Sequence, residues 1–215
     1  MTKPRDGRFV WVTWLSGIMS GERSCVWGPW FRTNYTDYAK VPSDFNEAQW
    51  MLDHTRLLTD LVGEREKLGE QVQIQGQNRF RYEHPPGLVV AGMPDLVGIA
   101  GRRATVYDAK TGQPHPSHQI QVMLYMYFLP QCMAAYRGMQ LEGCVVYGDH
   151  RLPIPASAIN NAFAENVFRF LDMLDADAPA RRVSSEMECG FCDITSADCP
   201  ERMEVSLTGL LGDEP

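Results

Sequence analysis

Asp95, Asp108 and Lys110 are the residues of this 215-residue chain whose types and spacing could do chemistry together. They sit in Gly92-Met93-Pro94-Asp95 and Val106-Tyr107-Asp108-Ala109-Lys110, two apolar stretches joined across a turn at Gly101-Arg102-Arg103. A strand sends alternate side chains to one face, so Asp108 and Lys110 point the same way. An antiparallel neighbour brings Asp95 close to Asp108. Two adjacent carboxylates repel unless a cation lies between them. Magnesium or manganese suits that position because both favour oxygen ligands. Either ion makes a coordinated water easier to deprotonate for attack on a phosphodiester. Lys110 would orient that water or offset charge building on the phosphate. The bland alternative is a surface hairpin with a chance ion pair. The apolar residues around both acids argue against it, since a buried acid needs a partner or a metal.

The segment after the hairpin, His115 to Tyr127, reads as a helix from an N-cap at Ser117 to Leu129, with Pro130 ending or kinking it. Gln121 and Tyr125 are one turn apart and share a face. Gln121 is read as a polar hand beside the metal site, contacting phosphate or base. Tyr125 is half-buried, and Tyr127 and Phe128 belong to the core.

Other elements must hold these residues in place. Asp44 looks like an N-cap with Glu47 at capping-box spacing. From there to Leu68, Phe45, Met51, Leu52, Leu57, Leu58, Leu61 and Val62 recur at helical spacing, and Gly69 stops the run. Residues 71 to 83 read as one strand, 87 to 101 as a single buried strand, and 104 to 112 as the next. Residues 142 to 149 form another buried strand and 156 to 174 an amphipathic helix. The order helix, three strands, helix, strand predicts an α/β or α+β sheet with helices packed on it. Residues 1 to 40, rich in tryptophan and glycine, give no clear assignment, and the tail from Arg181 is irregular and cysteine-rich.

The set Gly92-x-x-Asp95, Asp108-x-Lys110 and Gln121-x-x-x-Tyr125 resembles the RecB-like branch of the PD-(D/E)XK nucleases over residues 44 to 149. The resemblance implies a restriction-endonuclease-like core, a central mixed sheet flanked by helices, and a metal-dependent DNA nuclease. It implies Asp95 and Asp108 as metal ligands, Lys110 as the catalytic lysine, and Gln121 with Tyr125 as residues that engage DNA. The second acid is Asp where many members carry Glu. The branch also places a histidine on the helix before the sheet, where His54 stands, as a third ligand. On residues alone, a histidine among Met51, Leu57, Leu58 and Leu61 reads as a core residue. Glu47 serves the helix start.

The tail contains Cys189-x₂-Cys192-x₆-Cys199. Three cysteines in so polar a stretch are hard to explain as core, and Cys25 is the candidate fourth ligand. Zinc and iron–sulfur clusters both use about four ligands. One distant cysteine plus a C-terminal triplet is similar to the iron–sulfur nucleases of the same branch. These include the CRISPR-associated exonucleases of the adaptation module and nuclease parts of some repair helicases. The resemblance implies a 4Fe–4S cluster that clasps residues 1–40 and 181–215 into one subdomain beside the core, all within a single domain. Structural zinc is the alternative. Cys132 and Cys144 read as core, and His84, His115, His118 and His150 are spare residues without ligand spacing.

The net charge of −7 and pI of about 5.2 exclude a protein that simply coats nucleic acid, but not a metal-dependent enzyme acting on it. No segment has the roughly 20 apolar residues of a membrane span, and no signal peptide is recognisable. A cytoplasmic setting, with reduced thiols, is expected. No Gly-x₄-Gly-Lys-Ser/Thr loop is present. The expected activity is DNA exonuclease action at single-stranded ends, in CRISPR adaptation, phage or repair processing. The expected partners are DNA and a CRISPR integration complex or other recombination proteins, with no membrane. The alternative is a non-catalytic module that holds DNA ends or a partner protein. Arg79, Arg81, Arg102, Arg103 and Arg137 are candidate phosphate contacts.

Overall fold

The computed structural model describes residues 1–204; residues 205–215, the end of the expected 181–215 segment, lie outside the described residues. In chain order the strands are β1 (Lys3–Pro4), β2 (Phe9–Trp11), β3 (Tyr35–Thr36), β4 (Gln71–Ile74), β5 (Phe80–His84), β6 (Leu88–Gly92), β7 (Leu96–Ala100), β8 (Arg103–Lys110), β9 (Gln140–Tyr147) and β10 (Arg151–Ile154). The helices are α1 (Val12–Met19), α2 (Trp27–Asn34), α3 (Glu47–Lys67), α4 (Pro116–Cys132), α5 (Asn161–Asp175) and α6 (Glu186–Gly190). The fold is α+β. A five-stranded sheet runs β10-β9-β8-β7-β4, a three-stranded sheet runs β2-β6-β5, and β1 pairs with β3.

The large sheet is antiparallel except for β8 and β9, which run parallel over the full register from Arg103↔Gln140 to Lys110↔Tyr147. Parallel neighbours need a crossover, and α4 supplies it. Alternation divides the buried residues between two layers. Tyr107 joins Leu61 of α3, Leu96, Cys144 and Val146 on one face. Val106 joins Val122 and Met126 of α4 on the other. The helix lies close because Gly143, opposite Val106, has no side chain: a Cβ there would stand 2.5 Å from Val122 Cγ1.

Two stretches read as single strands are each divided between sheets. Residues 71 to 83 break after Ile74 into a 3₁₀ turn, Gln75–Asn78, before β5. Asn78, fully buried, fixes the turn by donating to Gln73 O at 2.8 Å and accepting from Tyr136 Oη at 2.5 Å. Residues 87 to 101 break at Met93-Pro94-Asp95. Pro94 has no N–H to give a ladder, so β6 stays in the small sheet and β7 enters the large one.

Helix boundaries also differ from expectation. Asn46, not Asp44, caps α3, its side chain accepting from Gln49 N at 3.0 Å. α4 starts one residue before Ser117, with Pro116 at its first position, where a missing N–H costs nothing. It runs past Pro130 to Cys132, because a proline in the last turn deletes only one bond and Met133 N still closes on Leu129 O at 2.8 Å. The 156–174 helix is a 3₁₀ turn followed by α5, capped by Asn160.

Residues 1 to 40, unassigned from sequence, form five short elements packed against the tail. Arg32 pairs with Asp193 at 2.5 Å, and Val41 N donates to Asp193 O at 2.8 Å. Thr2 Oγ1 donates to Asp198 at 2.6 Å, and Trp30 Nε1 to Ala176 O at 2.8 Å. Among the described residues no helix is long and apolar enough to cross a membrane.

Candidate active site

The β7–β8 ladder pairs Leu96 with Tyr107, so one step beyond its end the register sets Asp95 opposite Asp108. Both line a cleft of about 810 Å³ at this end of the sheet, together with His54, Lys110, Gln121 and Tyr125. Asp95 leaves the ladder at the Pro94 break, and its Oδ2 accepts from Ala109 N at 2.8 Å. His54 Nε2 of α3 lies 3.2 Å from the same oxygen. That hydrogen bond raises the His54 pKa against the opposing effect of burial.

Asp108 is 2% exposed. Its Oδ1 accepts from Gln121 Nε2 at 3.0 Å. Its Oδ2 forms an ion pair with Lys110 Nζ at 2.6 Å and has no other partner among the described residues. Burial pushes the Asp108 pKa up to about 6, with Asp95 adding to the rise and Lys110 opposing it. Gln121 ties the group together: its Oε1 accepts from Lys110 at 3.1 Å, and its Nε2 also donates to Tyr125 Oη at 2.9 Å. Gln121 and Tyr125 are both buried. They therefore hold the acid and the lysine, rather than reaching out as the polar hand expected of Gln121. Burial holds the Tyr125 hydroxyl neutral, raising its pKa above the usual range.

Among the described residues no three His, Cys, Asp or Glu side chains form a ready-made group for a metal ion. A divalent ion nevertheless fits the donor chemistry. Asp108 offers a buried oxygen whose one partner is the Lys110 ammonium, Asp95 faces it in register, and His54 stands beyond. To admit a divalent ion, Lys110 has to release Oδ2.

The sequence reading missed several residues that line the cleft. Trp50 stacks on His54 with ring centroids 5.1 Å apart. Phe45, Trp50 and Met51 are exposed at its mouth. His115 and His118, set aside as spare, line it too, and His118 Nδ1 is 2.9 Å from Tyr147 Oη. A signal for His118 was present, since 118, 121 and 125 fall on one face of a helix. Of the five candidate arginines, Arg102 lies in the β7–β8 turn, Arg103 opens β8, and Arg137 precedes β9, whose first residue pairs with Arg103. These three stand at the opposite end of the sheet and, like Arg79 and Arg81, do not line the cleft.

Cys25, Cys189, Cys192 and Cys199 line a separate cavity of about 280 Å³, between the segment after α1 and the tail. N–H donors approach three of the sulfurs: Val183 N to Cys25 at 3.4 Å, Met203 N to Cys189 at 3.3 Å, and Arg32 Nη2 to Cys192 at 3.8 Å. Burial raises the Cys199 pKa, with Arg182 opposing and Cys192 and Cys189 adding to the rise. No disulfide links the six cysteines; Cys144 is buried and Cys132 half-buried, away from this cavity.

These features define an α+β protein with an acid–lysine cleft at one end of its sheet and a four-cysteine cavity between its terminal segments. No family model and no curated protein matches the chain. Among solved structures it is similar to SSO0001, known from a crystal structure, with a TM-score of 0.46 and 16% identity, covering 94% of this chain and 91% of that one.

Proposed function

We propose that the chain is a magnesium- or manganese-dependent deoxyribonuclease of the PD-(D/E)XK kind, digesting DNA from single-stranded ends and carrying a 4Fe–4S cluster. One observation supports the reading above the others. Asp108 is buried, faces Asp95 in register, and is paired through one oxygen with the Lys110 ammonium. A surface ion pair would not be buried to this degree.

Asp95, Asp108 and His54 are the residues that would hold the ion. When bound, it would lower the pKa of a coordinated water and offset charge on the phosphate. The chain's own groups do the rest. Ala109 N and His54 fix Asp95. Gln121 fixes Asp108 and Lys110 relative to each other. Lys110, released from Asp108, is placed to offset charge on the phosphate.

The four cysteines line one cavity, and four is the ligand count that a cluster takes, with a lone zinc ion as the alternative. N–H donors at the sulfurs stabilise thiolates. CRISPR adaptation, phage or repair processing, with an integration complex or recombination proteins as partners, is the setting in which such an enzyme would act.

The test is digestion of end-labelled single strands with Mn²⁺, under anaerobic conditions. Wild type is expected to shorten the strand, while Asp108→Ala and Lys110→Ala leave it intact. Digestion that survives Asp108→Ala overturns the nuclease reading. Broad visible absorbance with iron near four per chain (about the complement of one cluster) is expected; a colourless protein with one zinc removes the cluster.

A second reading is a non-catalytic module for DNA ends or a partner protein, with structural zinc. It draws on the Lys110–Asp108 pair, which already neutralises the buried acid without a metal. Binding that persists in Lys110→Ala, with no hydrolysis by either form, would select it.

A further inference from the structure

The three-stranded sheet has one face in the core and one only partly covered, on which Arg81 and Glu83 are exposed, Phe9, Trp11 and Val89 half-buried and Ala91 buried. Val10, Phe80, Leu88 and Val90 are buried on the inner face. On the outer face the register aligns Trp11, Ala91 and Arg81 in one row and Phe9, Val89 and Glu83 in the next. Ala91 is small, so the side chains of the outer strands dominate this surface.

Two guanidinium groups brace on Phe9. Arg81 lies 5.7 Å from its ring centroid and Arg5 lies 6.0 Å away. Arg5 Nε donates to Arg32 O at 2.7 Å, which fixes the group without neutralising it. Among the described residues neither Arg5 nor Arg81 pairs with a carboxylate, whereas nearby Arg8 is paired with Asp175 and Asp177, and Lys3 with Asp37. The two unpaired arginines line a hollow of about 510 Å³. Phe9 meets Trp11 edge-on at 5.1 Å, and Trp11 lines the acid–lysine cleft. The hollow and the cleft are thus joined through a pair of touching aromatic rings.

We infer that this outer face is the track along which a single-stranded DNA runs as it extends beyond the cleft. The inference rests on the nuclease reading for its substrate. Charge and shape select this occupant. Fixed arginines complement phosphates, and aromatic rings beside them accept unstacked bases, the combination by which single strands are held without regard to sequence. The chain as a whole is acidic, and Arg5 and Arg81 place two cations without carboxylate partners on one aromatic ring beside the cleft. Glu83 lies on the same face and Asp6 lines the hollow; their repulsion directs the backbone toward the Arg81 and Trp11 row.

The test measures binding to Asp108→Ala protein, in which strands stay intact, by fluorescence anisotropy. Labelled oligothymidylates of roughly five and about twenty nucleotides serve as probes, the shorter confined to the cleft and the longer spanning both regions. Phe9→Ala and Arg81→Glu, each added separately, are expected to weaken the longer strand about tenfold and leave the shorter unchanged. Arg81→Ala is expected to flatten the salt dependence of the longer strand by about 0.7 for each phosphate that is no longer neutralised. Arg81 is exposed, so its variants test the track even if Phe9→Ala unfolds. Equal losses at both lengths, or no loss at either, overturn the track. Hydrolysis by the otherwise wild-type chain is measured alongside. Strand shortening without length-dependent binding leaves the nuclease and removes the track; length-dependent binding without shortening removes the nuclease reading itself.

Discussion

Gln121 makes three hydrogen bonds from one buried amide, to Asp108, Lys110 and Tyr125. Bonds to charged groups are worth about 1.5–3 kcal/mol. On the nuclease proposal, Gln121→Ala is therefore expected to lower kcat by roughly tenfold to a hundredfold with little change in KM, since Gln121 positions the acid and the lysine. A rise in KM at unchanged kcat would show direct substrate contact instead. His118 carries a pH dependence. Burial, and then Lys110 and His115, depress its pKa to about 4. The folded protein keeps it neutral between about pH 4 and 6.5, where the unfolded chain takes up a proton. Its contribution to stability is thus present above about pH 6.5 and lost as pH falls toward 4. Partial solvent access limits the effect to on the order of 1 kcal/mol. His118→Gln is expected to shrink the fall in Tm across that window; an unchanged profile would show that His118 titrates normally. Asp95, Asp108 and Lys110 were legible in the sequence because alternation and a short turn suffice to align them. Trp50 was not, because its stacking on His54 depends on how α3 lies against the strand ends.

At the scale of elements, the break between β6 and β7 aims Asp95. It was invisible in an apolar run that reads as one strand, because periodicity cannot tell which sheet a strand joins. Pro94 was the available sign. Gly92, three residues before the acid, now has a physical reason. A Cβ there would stand 2.6 Å from Phe80 and 2.8 Å from Tyr125. Gly92→Ala is expected to destabilise the protein by about 1–3 kcal/mol through overpacking and to displace Tyr125 from Gln121. Denaturant unfolding reads the first effect. Recovery of stability in Gly92→Ala combined with Phe80→Leu would confirm the clash, and wild-type stability in the single variant would refute it. Gly143 plays the same part under α4. The α3, β8 and β9 segments were readable from period and β-branched content. The 3₁₀ turn at Gln75–Asn78 was not, since one of the two side-chain hydrogen bonds that hold Asn78 comes from Tyr136, far along the chain.

For the whole molecule, the terminal segments close on each other around the cysteine cavity. The tail brings Ile194 and two buried cysteines into the structure, but few other apolar groups. Its attachment thus depends on Arg32–Asp193, backbone bonds such as Val41 to Asp193, and whatever the four sulfurs hold. Cys189→Ser or Cys25→Ser is expected to lower Tm by several degrees and to expose residues 181–204 to limited proteolysis, while the α3–β10 portion resists. Equal protection of the tail in both variants would show that the sulfurs contribute nothing to its attachment. The sequence identified the four cysteines as a set. It did not show that residues 1 to 40 fold into a partner for the tail, because their tryptophans gain partners only after closure.

The cavity wall takes one cysteine from near the start of the chain and three from near its end. During synthesis, Cys25 leaves the ribosome long before Cys199 exists, so the wall cannot assemble until the strands between them have been made. The sheet, by contrast, can form once residue 154 has emerged. Anything that fills the cavity is therefore loaded after residue 199 has been added, onto a sheet whose strands are already made. A cell short of that filler would accumulate chains with an intact cleft and a loose end, a natural handle for degradation.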